Sequence, residues 1–252
     1  MNTSTSLPLG QPAPRPAGRL VTDAPTRLFH WLFALSFAGA YLTAESEHWR
    51  LVHVTLGYIF AGLAGFRIAY GLLGPRHVRL SVLWRKLTAL PSWLQSMKSA
   101  RVLSAAHWRQ GQNLAMALAI AAMLALVLPL ALSGYATYND WGDFLGGDWP
   151  EELHELIGNA FLALVLAHMG MLALTSLLRR QNQALPMLTG RVSGPGPDLV
   201  KHRHNGLAAL LLVAVVAFGV WQWQTAPAPL PDEAGATWSA SGRSHTDDHD
   251  DD

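Results

Sequence analysis

Hydrophobic residues are gathered into five blocks, at Thr26–Ala44, Leu51–Leu73, Asn113–Ser133, Leu153–Leu178 and Gly206–Trp223, with polar stretches between them. At 1.5 Å of rise per residue, each block is long enough to cross the roughly 30 Å hydrocarbon core of a bilayer as a helix. A membrane β-barrel would instead present short segments of alternating polarity. The pattern predicts an all-α integral membrane protein, a four-helix bundle followed by a fifth, C-terminal transmembrane helix. Residues 1–25, rich in Pro, Ser and Ala without an apolar run, read as a disordered lead and not as a cleaved signal peptide.

The charged residues between the blocks set an orientation. The connection Gly74–Gly111 carries Arg76, Arg79, Arg85, Lys86, Lys98, Arg101 and Arg109 and no acid, which places it in the cytoplasm by the positive-inside rule. Tyr135–Glu152 has Asp140, Asp143, Asp148, Glu151 and Glu152 and no Lys or Arg, whereas Arg179, Arg180, Arg191, Lys201 and Arg203 follow the fourth block. The chain therefore reads as a multi-pass protein of a bacterial inner membrane. Its N-terminus is cytoplasmic, 193–205 forms a basic cytoplasmic linker, 206–223 is the fifth span, and 224–252 is an acidic periplasmic tail. Within the long basic connection, Val82–Leu94 mixes apolar, Trp and basic residues as a helix lying on the membrane surface does, with Pro91 bending or ending it.

Composition supports lipid as the solvent: 50% of residues are hydrophobic and only 14% charged, more apolar side chain than a soluble domain of this size hides. The absence of cysteine excludes disulfides, iron–sulfur clusters, thiolate zinc sites and thioether-attached haem. Any metal must rest on His, Met or carboxylate. Nothing in the charge pattern points to nucleic acid.

Four of the eleven histidines fall within the blocks, where an ionisable side chain is costly and needs a reason. His30 lies near the cytoplasmic start of the first span and His53 near the outer start of the second. His154 opens the fourth span on the outer side, and His168 lies deeper in the same helix. The fourteen residues from His154 to His168 are close to four helical turns, so both imidazoles project from nearly one face, roughly 21 Å apart along the axis. Depth then pairs His30 with His168 and His53 with His154. Two neutral imidazoles from facing helices hold the iron of a b-type haem with no vacant position, and two such haems at this spacing would carry electrons across a membrane. Gly57 and Gly158, each one turn after a candidate ligand, offer room for a porphyrin. Arg27 and Arg67 suit either haem propionates or the cytoplasmic interface, and the His/Asp-rich end of the tail, His245–Asp252, could hold a divalent cation weakly.

The stretches VTDAPTRLFHWL, LVHVTLGYIFAGLAGFRIAYGLLGPRHVR, ELHELIGNAFLALVLAHMG and LPMLTGR resemble the bacterial cytochrome b561 family that includes the b-type cytochrome subunits of nickel–iron hydrogenases, over about Leu20 to Val192. The resemblance implies a dihaem membrane domain over 26–192, with two haems b on His30, His53, His154 and His168 and electron exchange between membrane quinone and a redox partner. The chain departs from it at Gly111, Gln112, Asn113 and Leu114, where many relatives have Gly-His-Asn-Pro, and in its fifth span.

No catalytic acid, base or nucleophile can be named. The sequence thus predicts an electron-transfer component linking the quinone pool to a periplasmic c-type cytochrome or oxidoreductase subunit, for which the acidic outer loops would suit a basic partner. One alternative is a self-sufficient membrane oxidoreductase, such as a superoxide:quinone or ferric-reducing enzyme. The other is a haem-free transporter.

Overall fold

The computed structural model describes residues 18–97, 105–194 and 196–226. The chain forms β1 (Arg19–Leu20), α1 (Ala24–Leu42), α2 (Arg50–Leu73), α3 (Leu80–Leu87), α4 (Leu90–Ser96), α5 (Ala105–Tyr138), α6 (Trp141–Leu145), α7 (Trp149–Arg179), α8 (Leu185–Thr189), β2 (Arg191–Val192) and α9 (Asn205–Thr225). The described residues are all-α apart from the short β1–β2 pair. Among them, four helical stretches are long and apolar enough to cross a membrane: Glu47–Leu73, His107–Tyr138, Trp149–Arg179 and Asn205–Thr225. The first expected span, carried by the 19 residues of α1, is not among them. Arg27, His30 and Trp31 in its first half hold its hydropathy down.

The long helices extend beyond the apolar blocks that predicted them. The third block begins at Asn113 and the fourth at Leu153, yet α5 starts at Ala105 and α7 at Trp149. Hydropathy reports the part of a helix facing lipid, while backbone hydrogen bonding carries the helix on into the headgroup zone. The surface helix expected over Val82–Leu94 is two helices, broken at Thr88–Ala89. Pro91 stands in the first turn of α4, where its missing N–H leaves no helical bond unmade, so it starts a helix and does not end one.

Helix α5 packs most extensively against α7 and α1 against α2, with α2 joining the two pairs through α5. The core between them is aromatic. Phe37, Phe60, Ala64, Val127, Leu130, Ile157 and Phe161 are buried together, and Phe33 stacks on Phe60 with ring centres 4.1 Å apart. Phe161, only 1% exposed, meets Phe37 at 4.6 Å and Phe60 edge-on at 5.3 Å. In a bilayer such packing, more than water exclusion, drives helices together. Helix α9 lies along α1 and α2, and its Phe218 meets Tyr58 edge-on at 6.5 Å.

A backbone clasp gathers the ends of α1, α8 and α9. Arg19 and Leu20 pair antiparallel with Val192 and Arg191. The Leu20 N–H donates to Asp198 Oδ1 at 2.6 Å, Leu199 N–H donates to the Leu20 carbonyl at 2.9 Å, and Ala24 N–H donates to the Arg203 carbonyl at 3.2 Å. Gly190 turns the chain here at φ 79°, where an added Cβ would lie 2.8 Å from the Thr22 carbonyl oxygen. The expected disordered lead therefore stops short of Pro25, because residues from Gly18 onward are held by partners far along the sequence. The rest of that lead and most of the acidic tail, with His245–Asp252, lie outside the described residues.

Candidate metal centres

The four histidines occupy two levels. At one level, His53 of α2 faces His154 of α7, with ring centres 6.1 Å apart and ring planes at 85°. An imidazole nitrogen binds a metal at about 2 Å, which puts the ring centre roughly 3 Å from the ion and two opposed rings roughly 6 Å apart. The other nitrogens are engaged. His53 Nδ1 lies 2.8 Å from the Ala40 carbonyl oxygen, and His154 Nδ1 lies 3.0 Å from the Leu130 carbonyl oxygen with Ser133 Oγ at 3.4 Å. With Nδ1–H donating to a backbone carbonyl, the lone pair is on Nε2, as in imidazoles that bind metals. His53 and His154 thus fit a two-imidazole centre in spacing, tautomer and support.

Glycines make room around this pair. Gly134 of α5 lies flat against the His154 ring, where an added Cβ would approach Cε1 to 2.6 Å and Nδ1 to 2.9 Å. At Gly57, one turn after His53, an added Cβ would meet nothing within 4 Å, and at Gly158 only Leu130 Cδ1 at 3.9 Å. The space foreseen beside Gly57 and Gly158 is present. Tyr41 Oη donates to Asn159 Oδ1 at 2.8 Å and ties α1 to α7 nearby.

At the other level, His30 of α1 and His168 of α7 are near enough to interact electrostatically. The Nδ1 atoms of both are buried and without a hydrogen-bond partner among the described residues. Buried imidazole nitrogens without partners are uncommon in a folded protein and mark a place where another group completes the site. Between the two levels stands the aromatic core. Phe161 is seven residues from His154 and seven from His168, hence on the same face of α7 and halfway along it.

Polar residues cluster beyond His30. Asp23 caps α1, its side chain accepting from Thr26 N–H at 3.1 Å, Tyr70 Oη at 2.5 Å and His77 Nε2 at 3.1 Å, with the carboxylate fully buried. Burial alone would raise its pKa; the hydrogen bonds from Thr26, Tyr70 and His77 outweigh that and hold the carboxyl below its ordinary value. Arg27 donates to the Leu188 carbonyl at 3.0 Å and Arg67 to the Val78 carbonyl at 3.1 Å, so both bind backbone on this side. Arg50, at the opposite end of α2, pairs with Glu47 at 3.9 Å and lies over the Tyr138 ring.

Sequence reading missed Gly134, Asp23 and the carbonyls of Ala40 and Leu130. Gly134 sits in an ordinary apolar run, and backbone carbonyls leave no trace in a sequence. Asp23 carried a faint signal as a helix cap just before Pro25.

Residues 21–190 match the family model described as prokaryotic cytochrome b561. No curated protein and no solved structure matches.

Proposed function

Because the chain belongs to the prokaryotic cytochrome b561 family, a family of membrane b-type cytochromes acting in electron transfer, we propose that it holds two haems b and carries electrons between the quinone pool and a periplasmic or membrane redox partner in respiration. His53 and His154 would hold one haem, and His30 and His168 the other. The observation that carries this reading is the outer pair: two imidazoles with ring centres 6.1 Å apart, each donating Nδ1–H to a carbonyl of a neighbouring helix.

Haem b between two imidazoles supplies a one-electron couple without an open coordination position. The protein does the rest. The Ala40 and Leu130 carbonyls fix the tautomer and the azimuth of the outer rings and raise their basicity. The phenylalanine cluster keeps water out of the space between the two levels. The basic connections at one end and the acidic ones at the other support an orientation with Arg27, Arg67 and Arg179 in the cytoplasm. With α1 counted, the chain crosses the membrane five times, and the acidic residues Asp140–Glu152 face the compartment of the redox partner.

The test is a dithionite-reduced minus oxidised spectrum of the purified protein with haem quantified per chain, in the wild type and in each of the four His→Ala variants. Two b-type haems are expected. His53→Ala and His154→Ala should lose the same one, and His30→Ala and His168→Ala the other. Folded wild-type protein without haem, or a loss that pairs His30 with His53, would overturn the assignment.

A further inference from the structure

A second polar site lies outside the histidine levels, where α5 begins and α7 ends on the basic side. It is a cavity of about 440 Å³ lined by Trp108, Arg109, Gln112, Leu178, Arg179 and Gln181. Gln112 is only 7% exposed, and its Oε1 accepts from Arg179 Nη2 at 2.9 Å. That bond aims the Arg179 guanidinium but uses one edge of it. Among the described residues, Arg179 Nε is buried with no hydrogen-bond partner, and no carboxylate lies within ion-pairing distance of Arg109 or Arg179. Two guanidiniums without counter-charge around one cavity call for an anion, and the planar fork of Arg fits an oxyanion with two oxygens.

The lip of the cavity is greasy. Trp108 is 61% and Leu178 56% exposed, and an interfacial Trp marks the headgroup level of a bilayer. Arg179 is eleven residues beyond His168, about 16 Å along α7, so the cavity is separate from the inner histidine pair.

We propose that this cavity binds a phosphate group, that of an anionic phospholipid in the adjoining leaflet. Arg109 and Arg179 hold the phosphate oxygens, Gln112 orients Arg179, and Trp108 and Leu178 lie against the acyl chains. The same chemistry would accept free inorganic phosphate, and the experiment separates the two sources.

Native mass spectrometry of the full-length, detergent-purified protein would count bound phosphatidylglycerol and phosphatidylcholine, with equilibrium dialysis against labelled inorganic phosphate alongside. A basic side chain near an anionic headgroup is worth about fivefold in binding, so phosphatidylglycerol should be preferred roughly thirtyfold over phosphatidylcholine. Arg109→Gln and Arg179→Gln should each remove about fivefold of that preference. Arg109 is exposed, so its replacement leaves the fold intact, which an unchanged thermal transition would verify. Lipid retention that a large excess of inorganic phosphate does not displace would identify the membrane as the source. One labelled phosphate per chain, lost in the variants, would identify the free ion. Equal binding of the two lipids with no phosphate bound, or a preference untouched by both substitutions, would overturn the site.

Discussion

Gly134→Ala adds one methyl group at the place where α5 lies against His154, and its effect can be worked from the coordinates. The new Cβ would stand 2.6 Å from His154 Cε1 and 2.9 Å from Nδ1. Carbon atoms in contact settle at about 3.5–4.0 Å, so the ring must retreat by roughly 1 Å. The 3.0 Å bond from Nδ1 to the Leu130 carbonyl would then stretch beyond hydrogen-bond range. A metal ligand tolerates about 0.5 Å of misplacement, and losing its outer partner typically weakens metal affinity about 10- to 100-fold. Helical Ala is favoured over Gly by about 0.5–1 kcal/mol, so the polypeptide itself should lose little stability. The assay is haem titration into protein expressed under limiting haem, read by haem per chain. On the proposed assignment, Gly134→Ala should retain the haem assigned to His30 and His168 and lose most of the other. Gly219→Ala, whose Cβ meets nothing within 4 Å, should behave as wild type. Full haem content and unchanged affinity in Gly134→Ala would refute the argument that His154 is a ligand held in place by its neighbours.

Two further outcomes are expected. Asp23→Asn removes a buried carboxylate that accepts from Thr26, Tyr70 and His77, and hydrogen bonds to charged groups are worth about 1.5–3 kcal/mol each, so thermal stability at neutral pH should fall clearly. Because the folded pKa lies below the ordinary 3.8, the wild-type contribution is complete above that pH and drains away as pH falls through the depressed folded value; melting curves at stepped pH should show this loss in the wild type and not in Asp23→Asn. Phe161→Ala opens a cavity among Phe33, Phe37 and Phe60 and should cost about 3–5 kcal/mol. Equilibrium unfolding in detergent measures it, and a change under about 1 kcal/mol would mean that the neighbouring rings collapse into the space.

How much of this was legible in the sequence depends on the kind of force that places each residue. Helices α2, α5, α7 and α9 were readable because lipid imposes long apolar runs on them. The two histidine levels were readable because residues 154 and 168 share one helix, and helical geometry converts their separation into depth and face. The burial of Phe161 between them follows from the same periodicity once the helix is known. The β1–β2 clasp was not readable, since it is made by backbone groups of Arg19, Leu20 and Arg191 that any residues would supply. Nor was the hand of Gly134 in seating His154, which depends on how closely α5 approaches α7. Pro91 was read as bending or ending the surface helix; the chain does break beside it, at Thr88–Ala89, and what the sequence did not tell is that a second helix starts at once with Pro91 in its first turn.

The aromatic layer has an electrical consequence. Phe33, Phe37, Phe60 and Phe161 pack apolar rings, which carry no mobile charge, in the middle of the protein, so they do not neutralise a charge moving between the two histidine levels. Moving one elementary charge through the whole membrane involves about 2.3 kcal/mol per 100 mV. The two levels are roughly 21 Å apart along α7 in a core of roughly 30 Å, about two thirds of that drop, or about 1.5 kcal/mol per 100 mV. If both pairs hold haem as proposed, an electron stepping from one pair of imidazoles to the other would work with or against the transmembrane voltage, and the spacing of His154 and His168 along one helix would make the protein an element in the membrane's electrical circuit.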